Sequence, residues 1–324
     1  MKAIIYERYG PPEVMHVENV PRPQPAEGEI LIRVRAAEAT KADCELRAFR
    51  FAVSWFWLPL RLGFGVFRPR RQILGTYFAG EVVELGPGAA RLNVGDEVYG
   101  GLGLHMGAYG EYVTVPESTS IVAKPANMSF EEAAAVPLGG LNALHFLRLV
   151  DVQPGDKVLV NGAGGSIGLH GVQIAKAMGA EVTAVDKTEK EDIVRRMGAD
   201  HFIDYTQQRF VDAGLKFDVV FDMVPGSSFS ECMQVLEQNG RYCTGNPRLA
   251  VMLRCLWTSR FTDKTASFAF ARESLEELDT LREMIEVGQV RSIVEDVVPM
   301  EKVADAHRRV EQETRLGAIV IALG

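Results

Sequence analysis

Long hydrophobic runs, paired cysteines and an excess of positive charge are all missing from this chain. No uninterrupted apolar stretch reaches the roughly 20 residues that a membrane-spanning helix needs, and the start MKAIIYERYG lacks the apolar core of a secretory signal. Cys44, Cys232, Cys243 and Cys255 are scattered without a CxxC pair, so structural disulfides are not expected and a reducing, cytoplasmic setting is. A net charge of -8 argues against general nucleic-acid binding. What is present is the make-up of a globular protein: 324 residues with 47% hydrophobic and 24% charged content leave room for two domains around large cores.

The most informative stretch is KVLVNGAGGSIGLHGVQIAKAMGAEVTAVD, from Lys157 to Asp186. An apolar run to Asn161 suits a buried strand, Ser166 to Met178 has helical spacing, and Glu181 to Val185 returns to strand alternation. This is one βαβ unit with Gly162, Gly165 and Gly168 in its first turn, spaced GxxGxxG; the commoner GxGxxG would need a glycine at Ile167. Such a turn is tight and bare enough for a pyrophosphate to approach, and the free N–H groups near Ser166 and Ile167, at the positive end of a helix, would face it. Asp186 ends the second strand, where a carboxylate usually binds the adenosine ribose diol of NAD.

Residues 1 to about 124 read as β-rich, with short strands at Lys2 to Tyr6, Glu29 to Ala36, Gly80 to Leu85, Glu97 to Tyr99 and Glu111 to Val115. The ordered segments MKAIIYERYGPPEVM, GEILIRVRAAEAT, ILGTYFAGEVVELGPG, VGDEVYG, GAYGEYVTVP and EEAAAVPLGGLNAL, followed by the glycine turn, resemble the medium-chain dehydrogenase/reductase superfamily, in its zinc-free, quinone-oxidoreductase-like (zeta-crystallin-like) branch. The resemblance runs almost end to end. It implies an α/β protein in which a GroES-like, β-rich catalytic domain (1–124 and 266–324) surrounds a Rossmann domain with a doubly wound parallel sheet (125–265). HFID, FDVVFD, GRYCTG and ASFAFA would supply the four further Rossmann strands. A homodimer is also implied.

Zinc members of the superfamily carry a Cys and a His where this chain has Thr40 and Thr76, and Cys44 falls four places late. AAAVPLGGLNAL offers no further ligand, and the Cys-rich structural zinc loop is missing, so no metal is expected. Without a Lewis acid to hold a full alkoxide, hydride transfer is easier to a conjugated acceptor, whose charge spreads into an enolate or quinol. An apolar quinone or α,β-unsaturated carbonyl is therefore the expected substrate. Thr40 and Tyr77 are the candidate hydroxyls for polarising its oxygen, and both are equally readable as packing residues. Carried over from the resemblance, Asn142, Val224 (within Met223 to Pro225), Gly245, Phe268 and Phe270 contact the cofactor, and Lys190 and Tyr205 match positions that hold the 2′-phosphate of NADPH. Asp186 pulls the other way, so NADPH is expected with NADH possible. Two other functions stand beside this one: a zinc alcohol dehydrogenase, and a dinucleotide-binding redox sensor or structural protein without turnover.

Arg47 to Gly75 holds six arginines among aromatic residues with no acid between Glu45 and Glu81, and LAVMLRCLWTSRF is a second apolar and basic stretch. Three readings are open for the first: a lipophilic wall for a large acceptor, a packing or dimer-forming helix pair, and, least expected, peripheral membrane contact.

Overall fold

The computed structural model describes residues 1–51, 57–245, 248–269, 274–313 and 315–324. They form two compact units. One comprises Met1–Leu138, Glu273–Glu286 and Ser292–Gly324; the other comprises Gly139–Arg272 with Val287–Arg291.

The first unit opens with the antiparallel pair β1 (Lys2–Tyr6) and β2 (Met15–Asn19). The long β3 (Glu29–Glu38) alternates apolar residues that bury Ile30, Ile32 and Val34 in the core. α1 (Lys41–Ala48) starts at a capping box in which the Thr40 hydroxyl accepts from the Asp43 N–H and the Asp43 carboxylate accepts from the Thr40 N–H. It stops where Phe49 turns left-handed at φ 52. α2 (Trp57–Phe64) follows, then β4 (Tyr77–Leu85), β5 (Glu97–Gly101), β6 (Tyr112–Pro116) and β7 (Ile121–Ala123). α3 (Phe130–Ala134) is capped by Ser129 and Glu132 in the same way. α4 (Pro137–Leu149) runs on into the second unit.

There the elements are β8 (Lys157–Asn161), α5 (Ser166–Ala177), β9 (Glu181–Asp186), α6 (Glu191–Arg196), β10 (His201–Asp204), β11 (Phe217–Asp222), α7 (Phe229–Val235), β12 (Leu236–Thr244), α8 (Leu249–Phe261) and β13 (Thr265–Phe268). Their six strands lie in the order β10-β9-β8-β11-β12-β13, all parallel. The order reverses between β8 and β11, as in a doubly wound dinucleotide fold, and the near-continuous apolar runs VLV and VVF are what a strand covered on both faces requires.

The chain then returns through α9 (Leu275–Glu286), β14 (Val294–Pro299), α10 (Val303–Gln312) and β15 (Ala318–Ala322) to the first unit. β14 and β15 complete a sheet of order β14-β15-β3-β4-β5-β7, with β6 also paired to β3. Its core gathers Ile30, Ile32, Phe78 and Val82 from the start of the chain with Val303, Ile319 and Ile321 from its end. No helix among the described residues is long and apolar enough to cross a membrane.

Candidate active site

At the end of β8 the chain turns on Gly162 with φ +83, a left-handed conformation that side chains with a Cβ resist. Gly168, in the first turn of α5, lies against that turn so closely that a Cβ would stand 2.1 Å from the Gly162 carbonyl oxygen. Gly165 is different. It is the extended N-cap of α5, and a Cβ there would meet nothing nearer than the Gly162 oxygen at 3.5 Å. No side chain caps this helix, and no acceptor among the described residues takes the N–H of Ser166 or Ile167. Bare backbone, open donors and the positive end of a helix dipole converge where a diphosphate would sit, so the residues present fit a dinucleotide.

Asp186, only 8% exposed, is turned toward the same loop. One carboxylate oxygen accepts the Gly164 N–H at 2.7 Å and the other accepts the Lys187 N–H at 2.9 Å. Lys190 also packs over Gly164, its ammonium donating to the carbonyl at 3.1 Å, and a Cβ there would meet both Lys190 Cδ and Asp186 Oδ2. Tyr205, exposed just after β10, donates its N–H to the Asp186 carbonyl at 3.3 Å. The acid and the lysine therefore hold Gly164 together, one through its N–H and the other through its carbonyl.

The neighbouring strand ends are tied by a second carboxylate. Asp222 accepts from Asn161 Nδ2 at 2.9 Å, Tyr242 Oη at 3.0 Å, the Val224 N–H at 3.3 Å and Ser227 Oγ, which joins the ends of β8, β11 and β12. Burial raises its pKa, and those donors oppose the rise. Val224 sits directly after this knot, with its Cγ2 2.9 Å from where a Gly162 Cβ would be. Gly245 follows β12 at a point where a Cβ would press on the Phe146 ring at 3.1 Å, and Phe268 ends β13. Asn142 lies half-buried on α4. Phe270 lies outside the described residues.

In the first unit the polar residues form a closed cluster instead. Thr40 is fully buried and its hydroxyl donates to Asp43 at 2.5 Å; Asp43 also accepts the Gly75 N–H at 3.1 Å and Tyr109 Oη at 3.4 Å. Burial raises the Asp43 pKa to about 6 against the opposing hydrogen bonds. Tyr109 Oη lies 3.0 Å from His307 Nε2, while Arg47 Nη1 and Cys44 Sγ each lie 3.3 Å from His307 Nδ1. Arginine only donates, so Nδ1 is the unprotonated nitrogen and Nε2 carries the hydrogen. Burial, aided by Arg47, lowers the His307 pKa to about 3, and burial pushes the Cys44 thiol far up. The pair is a neutral imidazole beside a neutral thiol, with no thiolate to attack anything.

Family models match the chain at residues 26–126 (alcohol dehydrogenase GroES-like domain) and 197–321 (zinc-binding dehydrogenase). Over 333 residues it is 31% identical to the 2-methylene-furan-3-one reductase of Solanum lycopersicum, covering 99% of this chain and 79% of that protein. The chloroplastic NADPH-dependent alkenal/one oxidoreductase of Arabidopsis thaliana is also 31% identical, with 99% and 79% covered. The solved quinone oxidoreductase from Coxiella burnetii superimposes with a TM-score of 0.88 at 27% identity, covering 100% of this chain and 99% of that one. The chain belongs to the medium-chain dehydrogenase/reductase superfamily, in its quinone-oxidoreductase-like branch. It is thus a member of an oxidoreductase family whose dehydrogenases bind NAD(P), with the GroES-like and Rossmann folds that the sequence implied.

One matching family model carries zinc in its description, so the donor set matters. Among the described residues no three His, Cys, Asp or Glu side chains converge as ligands would. The buried pair Cys44 and His307 has the Arg47 guanidinium against the same imidazole nitrogen, a place that a second cation could not share. Thr40 serves its helix cap, and Thr76 is half-buried beside Tyr77, which is itself 9% exposed at the start of β4. These residues do not fit a catalytic zinc. The Cys44–His307 contact escaped sequence reading because 263 positions separate the partners. The capping use of Thr40 was readable, since T-x-x-D ahead of a helix is a local signature.

Proposed function

We propose that the protein is an NADPH-dependent, zinc-independent reductase that delivers hydride to an apolar quinone or α,β-unsaturated carbonyl. The observation that carries this reading is the state of Asp186. Its two oxygens are already engaged by the Gly164 and Lys187 N–H groups, so the carboxylate points into the turn, while Lys190 and the exposed Tyr205 stand beside it for a 2′-phosphate. NADH remains the second cofactor. The relatives named for alkenal/one and quinone reduction support the acceptor class.

The bound nicotinamide supplies the hydride. The chain's own part is to hold and orient: the Ser166 and Ile167 N–H groups take the diphosphate, Lys190 and Tyr205 take the 2′-phosphate, and Asn142 on α4 with Val224, Gly245 and Phe268 at the strand ends take the nicotinamide half. Without a metal, the charge developing on the acceptor must be delocalised by the acceptor itself, with water returning the proton. Thr40 and Tyr77 are the candidate hydroxyls for polarising the acceptor oxygen, and Thr40 gives its hydrogen to Asp43 in this structure. Four free, buried cysteines support a reducing, cytoplasmic setting, and a homodimer is the proposed assembly.

The test is a panel of quinones, enones, aldehydes and alcohols followed at the nicotinamide absorbance band with NADPH and NADH in parallel. Turnover of enones or quinones by metal-free protein supports the proposal. Saturable NADPH binding with no turnover on any member would make it a non-catalytic binding protein, and alcohol oxidation that requires added zinc would make it an alcohol dehydrogenase.

A further inference from the structure

Asp222 is a buried carboxylate, 1% exposed, that the proposed chemistry does not use. Just after it, where β11 ends, Val224, Pro225, Gly226 and Ser227 close on themselves: the Ser227 N–H donates to the Val224 carbonyl at 3.2 Å. Proline in the second place and glycine in the third, here with φ +89, are the residues that a type II turn asks for. The turn is therefore stiff in itself. What remains to be fixed is where it stands.

Asp222 fixes that from both ends of the turn. One oxygen accepts the Val224 N–H at 3.3 Å, at the entry, and the other accepts the Ser227 hydroxyl, at the exit. The same two oxygens reach the neighbouring strands, the first through Asn161 Nδ2 at 2.9 Å and the second through Tyr242 Oη at 3.0 Å, with Cys232 Sγ further off at 3.9 Å from the second. Each oxygen thus carries one bond to the turn and one to a strand. Asn161 comes directly before Gly162, and its carbonyl takes the Met223 N–H at 3.2 Å, so the clamp is anchored on the strand that leads into the glycine turn. A close approach results: Val224 Cγ2 stands 2.9 Å from where a Gly162 Cβ would be. Burial raises the Asp222 pKa, and a buried carboxylate is costly even when its lone pairs are filled. The turn closes without it; what the carboxylate adds is position.

We infer, on the dinucleotide reading above, that Asp222 is a positioning residue for the cofactor and acts through Ser227, setting how far the 224–227 turn stands from the glycine turn and so how the cofactor fits against both. A purely structural tie would make its bonds interchangeable, because losing any of them loosens the same knot. Positioning makes them unequal. The bonds to the turn govern cofactor affinity, and the bond to β12 governs stability alone. Lys190 follows β9 and Tyr205 follows β10, on the other side of β8 from this turn, so the effect falls on NADPH and NADH alike.

Ser227→Ala and Tyr242→Phe test it, because each removes one donor from the same Asp222 oxygen, the first on the turn and the second on β12. NADPH and NADH are titrated against the whole protein by nicotinamide fluorescence, and the melting temperature of every variant is measured beside them. Ser227→Ala is expected to weaken both cofactors about tenfold, the worth of one hydrogen bond to a charged group, with their ratio within about twofold of the parent's. Ser227→Thr, which keeps the hydroxyl, should bind like the parent. Tyr242→Phe should lower the melting temperature by a few degrees and leave both affinities within about twofold. Ser227→Ala binding as tightly as the parent, Ser227→Thr binding as weakly as Ser227→Ala, or Tyr242→Phe losing as much affinity as Ser227→Ala overturns the inference and leaves the dinucleotide reading standing. A parent that binds neither cofactor overturns both.

Discussion

Gly165→Asp separates holding a cofactor from holding the fold. The N-cap backbone there is extended, φ -84 and ψ 167, and the site of a Cβ is open, so aspartate enters without displacing anything. As an N-cap it would accept from the free first-turn N–H groups and favour the helix dipole, adding a few tenths of a kcal/mol of stability over glycine. The same carboxylate would occupy the donors meant for the diphosphate. At a separation of about 4 Å and an effective dielectric near 20, one pair of like charges costs about 4 kcal/mol, or roughly a thousandfold in affinity. The assay pairs thermal unfolding with NADPH titration by nicotinamide fluorescence. Unchanged or slightly raised melting temperature with affinity down by about three orders of magnitude is expected, and Gly165→Asn, isosteric but neutral, should lose much less. NADPH bound by the aspartate variant as tightly as by the parent would refute the placement of the diphosphate on α5.

Gly168→Ala should fail in the opposite way, because its methyl would meet the Gly162 carbonyl at 2.1 Å: the melting temperature drops by several degrees and cofactor affinity falls with it, in the same two assays. Lys190→Ala should weaken NADPH by about tenfold to a hundredfold, the worth of one charge-assisted contact, while NADH affinity changes less than twofold, as read by parallel titrations. Glu38 gives a pH signature. Neither of its buried oxygens has a hydrogen-bond partner and Arg315 Nη1 stands 3.8 Å away, so burial raises its pKa from 4.5 to about 8 despite that cation. The folded state then binds a proton that the unfolded state has released, so stability falls as pH rises from about 4.5 to about 8, by an upper limit on the order of 5 kcal/mol. Glu38→Gln should match the parent near pH 5 and exceed it in stability above pH 8 by denaturant unfolding; an unchanged pH profile would show that the carboxyl finds a partner.

Local pattern made much of this protein legible. The apolar run of β8, the helical spacing of α5 and the alternation of β9 are each decided within about a dozen residues, so strand, glycine turn and helix could be read in order, and with them the bare N-terminal end of α5. Short strands such as β2 and β7 were not read, because their pairing partners rather than their own residues define them. The absence of zinc ligands at Thr40 and Thr76 was likewise a matter of residue type at a position.

What a side chain faces is a different kind of fact. That the Asp186 carboxylate meets the Gly164 N–H, 22 positions away, and that Tyr109, 66 positions on, reaches Asp43 beside the Thr40 cap, are seen only in the fold. Cys44 gained a histidine only when α10, from the far end of the chain, packed beside α1. α8, apolar by composition, could have been a core helix; only the packing of one side against β13 left the other side bare. Periodicity and glycine spacing act along the chain, and one sequence therefore sufficed for the βαβ unit and its glycine turn. Burial, distant hydrogen-bond partners and exposed faces depend on residues that only the fold brings together, from 22 positions apart for Asp186 and Gly164 to 263 for Cys44 and His307, and those were decided by the tertiary structure.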